Sequence, residues 1–269
     1  MTDNNGEWLG LDGRVIAVTG GASGIGAQIA SEVAAVGGVP VVLDLNGDGA
    51  EATARMIEAT YEVACTSHAV DVTDAGGVES VFAGITQQHG RLDGLVNAAG
   101  LLRAGELEGL SVQDWDLTLR IDLTGCFLTA QAAGKRMGRG GAIVHISSIA
   151  GSQPQPFSGA YSPSKAGLGM FNRQLAFEWG PKGIRSNVVS PGLVRTPMSE
   201  PFYQAPGVLE ARENAVPLRR IASPQDMADV TLFLLSDRSS YVTGQELVVD
   251  GGFSTALMSF VPRPGFDTK

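Results

Sequence analysis

The chain has 269 residues, 43% hydrophobic and 17% charged, and 19 Lys and Arg against 28 Asp and Glu leave a net charge of −9. That charge, with no basic run, argues against nucleic acid or an anionic membrane as a partner, since both reward clustered cations. Two Cys exclude a disulfide framework and a four-Cys zinc site, and the three His lack ligand spacing, so no metal is expected. Residues 1–14 are polar and acidic, without the apolar stretch of a signal peptide. No apolar run approaches the roughly 18 residues of a membrane span, so a soluble, cytoplasmic protein is expected. The 36 Gly are nearly twice the usual share and follow no triplet period. They ask for tight turns, close packing, or backbone lying against a ligand.

In chain order, residues 14–19 (RVIAVT) read as a buried strand and 24–36 as a helix, with Ile25, Ile29 and Val33 on one face. Strands follow at 39–45 and 63–70, around a helix at 49–60. A helix at 73–89 leads to a strand at 92–97. Ser111, with Asp114 three residues on, resembles an N-cap box and starts a long helix predicted to reach Met137. A strand at 141–147, a helix at 160–179, a strand at 184–189, a helix at 224–235 and a strand at 246–249 complete the pattern. Alternation of β and α implies parallel strands with helices on both faces, hence an α/β doubly wound single domain. Residues 191–217 break the pattern with Pro191, Pro197, Pro201, Pro206 and Pro217, and 192–217 is read as a lid over a ligand.

The first strand ends in Thr19-Gly20-Gly21-Ala22-Ser23-Gly24-Ile25-Gly26. Glycines between a strand and a helix permit a sharp turn and let backbone approach a pyrophosphate, held by helix N-terminal N–H groups. Asp44 ends the second strand, about 20 residues on, where a carboxylate accepts from ribose hydroxyls and repels a 2′-phosphate. No Arg or Lys lies in the turn, so NAD is favoured over NADP. The plainer reading of Asp44 is a turn made with Asn46 and Gly47.

Tyr161 and Lys165 stand at i and i+4 on one face of a predicted helix, and Ser148 follows the fifth strand. A phenol is a poor base at neutral pH, but a neighbouring ammonium favours its phenolate. It then exchanges a proton with an alcohol or carbonyl oxygen while Ser148 hydrogen-bonds the same oxygen. Gln153, Pro154 and Phe157 are candidate substrate walls between them, and His145 reads as a core histidine with its partners satisfied.

With Asp71-Val72, Asn97-Ala98-Ala99-Gly100, Pro191-Gly192 and Asp250-Gly251-Gly252, these residues resemble the short-chain dehydrogenase/reductase family, in its order and spacing. The resemblance spans residues 11–252 and implies a seven-stranded Rossmann sheet, with 253–269 as a C-terminal tail. It implies that Gly20, Ser23, Gly24, Ile25, Gly26, Asp44 and Leu45 meet the phosphates and adenosine. Asp71 and Val72 would meet the adenine, and Asn97, Ala98, Ala99 and Gly100 would pass beside the adenine ribose. Lys165 and Tyr161 would hold the nicotinamide ribose, with Pro191, Gly192, Val194 and Thr196 around the nicotinamide. Ser148, Gln153, Tyr161 and Gly192 would meet substrate. A homotetramer or homodimer is implied too. One departure matters: where the family carries an Asn holding a water near the Lys, this chain has Asp122 in Ile121-Asp122-Leu123-Thr124-Gly125. A carboxylate there still accepts from that water and stabilises Lys165 as a cation, so Asp122 is placed in the proton relay.

The expected function is hydride transfer between NAD(H) and a secondary alcohol or ketone, with Tyr161 as acid/base. The apolar lid favours an alicyclic or aromatic substrate. One alternative, an NADPH-dependent acyl-carrier ketoreductase, is opposed by Asp44 and by the −9 charge facing an acidic carrier. The other, a non-enzymatic NAD-binding sensor, is opposed by the presence of Ser148, Tyr161 and Lys165 together. The apolar stretch 255–261 either covers a neighbouring subunit's site or packs on its own chain.

Overall fold

The structure is a computed structural model that describes residues 8–261 and residue 265. The leader reading of residues 1–7 and the last part of the tail, 262–264 and 266–269, lie outside the described residues. Among the described residues no helix is long and apolar enough to cross a membrane, and no cluster of ligating side chains suits a metal.

Seven strands form one parallel sheet: β1 Val15–Thr19, β2 Val39–Asp44, β3 Thr66–Ala69, β4 Gly94–Asn97, β5 Ala142–Ile146, β6 Arg185–Pro191 and β7 Glu246–Val249. Their spatial order is β3-β2-β1-β4-β5-β6-β7. The helices are α1 Gly24–Ala35, α2 Gly47–Tyr61, α3 Ala75–His89, α4 Val112–Leu119, α5 Gly125–Gly134, α6 Tyr161–Trp179, α7 Val208–Ala215 and α8 Pro224–Leu235. All five residues of β1 are buried, because its side chains alternate into two separate cores. Ile16 and Val18 pack with Ile29, Val33, Ile57 and Met227 of α1, α2 and α8. Val15 and Ala17 pack on the other face with Phe82, Ile85, Ala130 and Leu175 of α3, α5 and α6. The expected doubly wound α/β architecture is the one observed.

Apart from shifts of one or two residues at other ends, sequence and structure differ in the third strand, the start of the second helix, the fourth helix and the lid. The third strand is shorter than 63–70, because its four residues form the outermost strand of the sheet and are only partly covered. The second helix starts at Gly47 because Asn46, not a later residue, accepts the Gly49 N–H and caps it. The long fourth helix is not continuous. Ser111 caps α4 through the Asp114 N–H, but a π turn at Arg120–Thr124 separates α4 from α5. A single inserted residue leaves no mark on helix propensity, so hydrophobic spacing carried the prediction straight through it. The region read as irregular, 192–217, holds a 3₁₀ turn at Glu200–Tyr203 and the short helix α7.

Candidate active site

Strand order reverses between β1 and its neighbours β2 and β4, so the loops leaving β1 and β4 part and open a crevice at their carboxyl ends. Thr19 pins the two loops together: its Oγ1 accepts from the N–H groups of Ala98 and Ala99 at 3.2 and 3.3 Å. The glycine turn is built for backbone contact. Gly20 has φ +68°, and a Cβ there would lie 2.7 Å from the Ala99 nitrogen. A Cβ on Gly26 would lie 2.2 Å from the Gly20 carbonyl oxygen, so this glycine seats the turn on α1. Ser23, at the N-cap of α1, makes no side-chain cap, and no acidic residue lies in the first turn. The helix N-terminus therefore presents uncapped N–H groups to the crevice, which suits an anion.

This crevice, about 370 Å³, is lined by Gly20, Ser23, Gly24, Ile25, Gly26, Asp44, Leu45, Asp71, Val72, Ala98, Ala99 and Gly100. No Lys or Arg lines it. Asp44 lines the crevice and is tied to the backbone through both oxygens. One oxygen accepts the Asn46 N–H at 2.9 Å, as a turn requires, and the other accepts the Ala22 N–H at 3.0 Å from the glycine loop. Asn97 is the residue that departs. Its carboxamide is buried away from the crevice, accepting from Thr129 Oγ1 at 2.7 Å and donating to the Cys126 carbonyl at 3.3 Å. It braces β4 against α5. His145 Nδ1 lies 3.2 Å from the same carboxamide, but Nε2 has no partner among the described residues, so this histidine is only half satisfied. Burial, then the nearby Lys165 charge, pushes its pKa down to about 3, which keeps the ring neutral.

Ser148 leaves β5 and accepts the Ala150 N–H at 3.1 Å, capping the 3₁₀ turn Ile149–Gly151. Tyr161 opens α6, and Lys165 sits one turn later, its Nζ 5.4 Å from the Tyr161 ring centre. Lys165 donates to the Ile146 carbonyl at 3.3 Å and faces Asp122 at 3.8 Å. Both members of this ion pair are buried, at 4% and 0% side-chain exposure. The π turn carries Asp122 there, where Oδ1 accepts the Leu101 N–H at 2.7 Å and Oδ2 accepts the Ser164 hydroxyl at 3.2 Å. Burial alone would push the Lys165 ammonium down. The Asp122 carboxylate, joined by Tyr161 and Cys126, more than offsets it, so its pKa lies above the usual lysine value. Burial pushes the Asp122 carboxyl up, against the pull of Lys165 and the Leu101 N–H.

Ser148, Tyr161, Lys165, Pro191, Gly192, Val194 and Thr196 line one pocket of about 240 Å³, at the inner end of the crevice. A larger cavity of about 760 Å³ adjoins it, bounded by Ser148, Gln153, Gly192, α7 and Phe253, Ser254 and Leu257 of the tail. Of the stretch 255–261 only Leu257 borders this cavity, and Leu257, Met258 and Val261 are exposed. Phe157 is not a wall of either space; it is 65% exposed and turned by a φ of +60°. Sequence reasoning missed Gln155 and Arg212, which line these spaces from a loop and the lid, whose fold had no periodic signature.

The family model described as Enoyl-(Acyl carrier protein) reductase matches residues 20–254. D-threitol dehydrogenase of Mycolicibacterium smegmatis is 42% identical over 246 residues, covering 91% of this chain and 94% of that protein. The chain belongs to the short-chain dehydrogenase/reductase family. A 3-oxoacyl-[acyl-carrier-protein] reductase FabG of Thermotoga maritima is 35% identical over 90% of this chain and 98% of its own length. A solved short-chain type dehydrogenase/reductase from Mycobacterium ulcerans superposes with a TM-score of 0.86 at 30% identity, covering 94% of this chain and 97% of that one. The protein is an oxidoreductase, and the family uses nicotinamide cofactors. The uncapped N-terminus of α1 and the glycine cradle fit such a dinucleotide.

Proposed function

We propose that this dehydrogenase/reductase transfers a hydride between NAD(H) and a secondary alcohol or ketone, with Tyr161 as the acid/base. The observation that carries this reading is the gathering of Ser148, Tyr161 and Lys165 around one pocket at the inner end of the crevice. When bound, the dinucleotide supplies the redox chemistry, its nicotinamide taking the hydride that leaves the alcohol carbon or returning it. Tyr161 Oη, as phenolate, takes the alcohol proton as the C=O bond forms, and gives it back in the reverse direction. The Ser148 hydroxyl donates to the same oxygen and fixes its position. The Lys165 ammonium, held by the Ile146 carbonyl and Asp122, stands beside the Tyr161 ring and would hold the cofactor ribose. Residues 11–252 form the catalytic domain in this reading, and 192–217 its lid.

NAD is assigned over NADP because Asp44 projects into a crevice without a Lys or Arg to bind a 2′-phosphate. Both Asp44 oxygens already accept one N–H each, and each retains a lone pair for a ribose hydroxyl. The likeness to FabG favours a second reading, an acyl-carrier ketoreductase. Exposed Phe127 on α5 and Met170 and Phe177 on α6 support a homodimer or homotetramer through these helices.

The test is a panel of secondary alcohols with NAD⁺ and NADP⁺, read by NADH or NADPH absorbance. Expected is turnover with NAD⁺ and a loss of about 10²- to 10⁴-fold in kcat for Tyr161→Phe. Equal turnover by the Phe variant overturns the acid/base assignment. A preference for NADP⁺ overturns the role of Asp44.

A further inference from the structure

Arg212 projects from the middle of α7 and lines both the catalytic pocket and the larger cavity beside it. Its guanidinium carbon lies 4.9 Å from the Tyr203 ring centre and 5.4 Å from that of Phe202. Those rings hold the stem and plane of the side chain without using its N–H donors. Its neighbour in the lid, Arg195, also approaches Tyr203, at 5.9 Å, but is held by Glu200 through two hydrogen bonds at 2.8 and 2.9 Å. Arg212 has no carboxylate partner and no hydrogen bond among the described residues. The only other cation on these walls, Lys165, is paired with Asp122. No Asp or Glu lines either space. The larger cavity is otherwise walled mainly by apolar groups, including Ile149, Leu193, Val208, Phe253 and Leu257.

A planar, five-donor cation left unpaired at the edge of an apolar cavity matches a planar anion. We infer that Arg212 is a specificity-determining residue that holds a carboxylate of the substrate, which is therefore a secondary alcohol or ketone with an apolar body and a carboxylate end. The apolar walls take the body, and the Ser148–Tyr161 pair takes the reacting oxygen. The aromatic pair orients the guanidinium in advance, so little order is lost when the anion arrives. This inference rests on the proposed function and names the substrate class of that same site.

The experiment compares 4-hydroxycyclohexanecarboxylate with its methyl ester, in the wild type, Arg212→Met and Arg212→Lys. Expected for the wild type is a kcat/KM about 10- to 100-fold higher for the carboxylate, the range of one charge-assisted pair. In Arg212→Met the ratio falls toward one, chiefly through KM of the carboxylate. Arg212→Lys restores part of it, as a point charge without the fork. Equal use of both compounds by the wild type, or an unchanged ratio in Arg212→Met, overturns the inference.

A second readout does not depend on turnover. Cyclohexanecarboxylate is expected to raise the Tm of the enzyme saturated with NAD, cyclohexanecarboxamide is not, and Arg212→Met is expected to lose the difference. A carboxylate that gives no more shift than the amide overturns the inference. The Tm rise given by NAD alone confirms that the variant is folded. Oxidation of neutral secondary alcohols reports separately on the proposed function, so the two readings fail independently.

Discussion

The crevice between β1 and β4 is shaped at its glycine turn by backbone, whereas the cavity beyond Ser148 is walled by side chains. In the crevice, Gly20 and Gly26 stand where no Cβ fits, and the helix N-terminus offers N–H groups that belong to no particular residue type. In the cavity, prolines, aliphatic groups and one unpaired guanidinium set the shape and charge. Backbone recognises what every dinucleotide shares. Side chains recognise what one substrate has and another lacks. The first region is therefore intolerant of small changes, and the second is where changes redirect the enzyme without removing its chemistry.

That contrast can be broken from either side. The largest effect is expected from Gly26→Ala. Its methyl would sit 2.2 Å from a backbone oxygen that cannot rotate away. NADH binding, followed by fluorescence titration, should weaken about 10- to 100-fold or more, with a lowered Tm. An alanine variant that binds like the wild type would show that the turn is not rigid.

Next comes Asp44→Ala, expected to weaken NADH binding about tenfold and to narrow the preference over NADPH. Because Asp44 also ties the Ala22 and Asn46 N–H groups, Asp44→Asn separates the two roles. The amide keeps one acceptor for the loop but removes the repulsion toward a 2′-phosphate. If neither variant gains NADPH binding, Asp44 is a loop brace and no more.

Asp122→Asn is a smaller change and should leave kcat within about tenfold of the wild type, since an amide oxygen still accepts from Leu101 or Ser164. The sign of its pH effect follows from the ion pair. Asp122 raises the proton affinity of Lys165, so its loss lowers that affinity, and the alkaline limb of the rate profile moves to lower pH. A limb that stays in place would separate Asp122 from the relay. A folded, NAD-binding variant at background rate would show that the carboxylate itself is required.

Asp226→Ala lies outside both regions and is the smallest expected effect. Asp226 completes a capping box with Ser223 at the start of α8 and is paired with Arg220. That pairing, then the Ser223 groups, hold its carboxyl well below the usual carboxylate range against a partial burial. The stabilisation is present above about pH 4, the unfolded aspartate value, and fades as pH falls through the lowered native one. The substitution should cost about 1 kcal/mol at neutral pH and progressively less in acid, measured as Tm against pH.

The crevice was legible in the sequence because its geometry demands particular residues. Only glycine survives at Gly20 and Gly26, and Asp44 must end β2 to reach the glycine loop, so spacing alone located all three. The sheet was legible because buried parallel strands need continuous apolar runs. Asn97 misled because its place at the end of β4 suits either a ligand or a brace, and only the positions of Thr129 and Cys126 decide between them. Arg212 left no signal because an arginine in a short helix looks solvated until Tyr203 and Phe202 are known to lie beneath it. The walls of the cavity come from four stretches distant in sequence, and no local pattern links them.

The π turn at Arg120–Thr124 has a consequence for how this helix can change. One added residue rotates everything after it by about 100° relative to an uninterrupted α-helix. The segment before the turn and the segment after it are thus set in two angular frames. Asp122, within the turn, is aimed at Lys165, and Gly125, just after it, is pressed against Val72, where a Cβ would meet Val72 Cγ2 at 2.8 Å. Deleting one residue here would merge the frames and change the angle between Asp122 and Gly125. Substitutions can drift on either side of the turn, but its length is fixed by the two ends it serves.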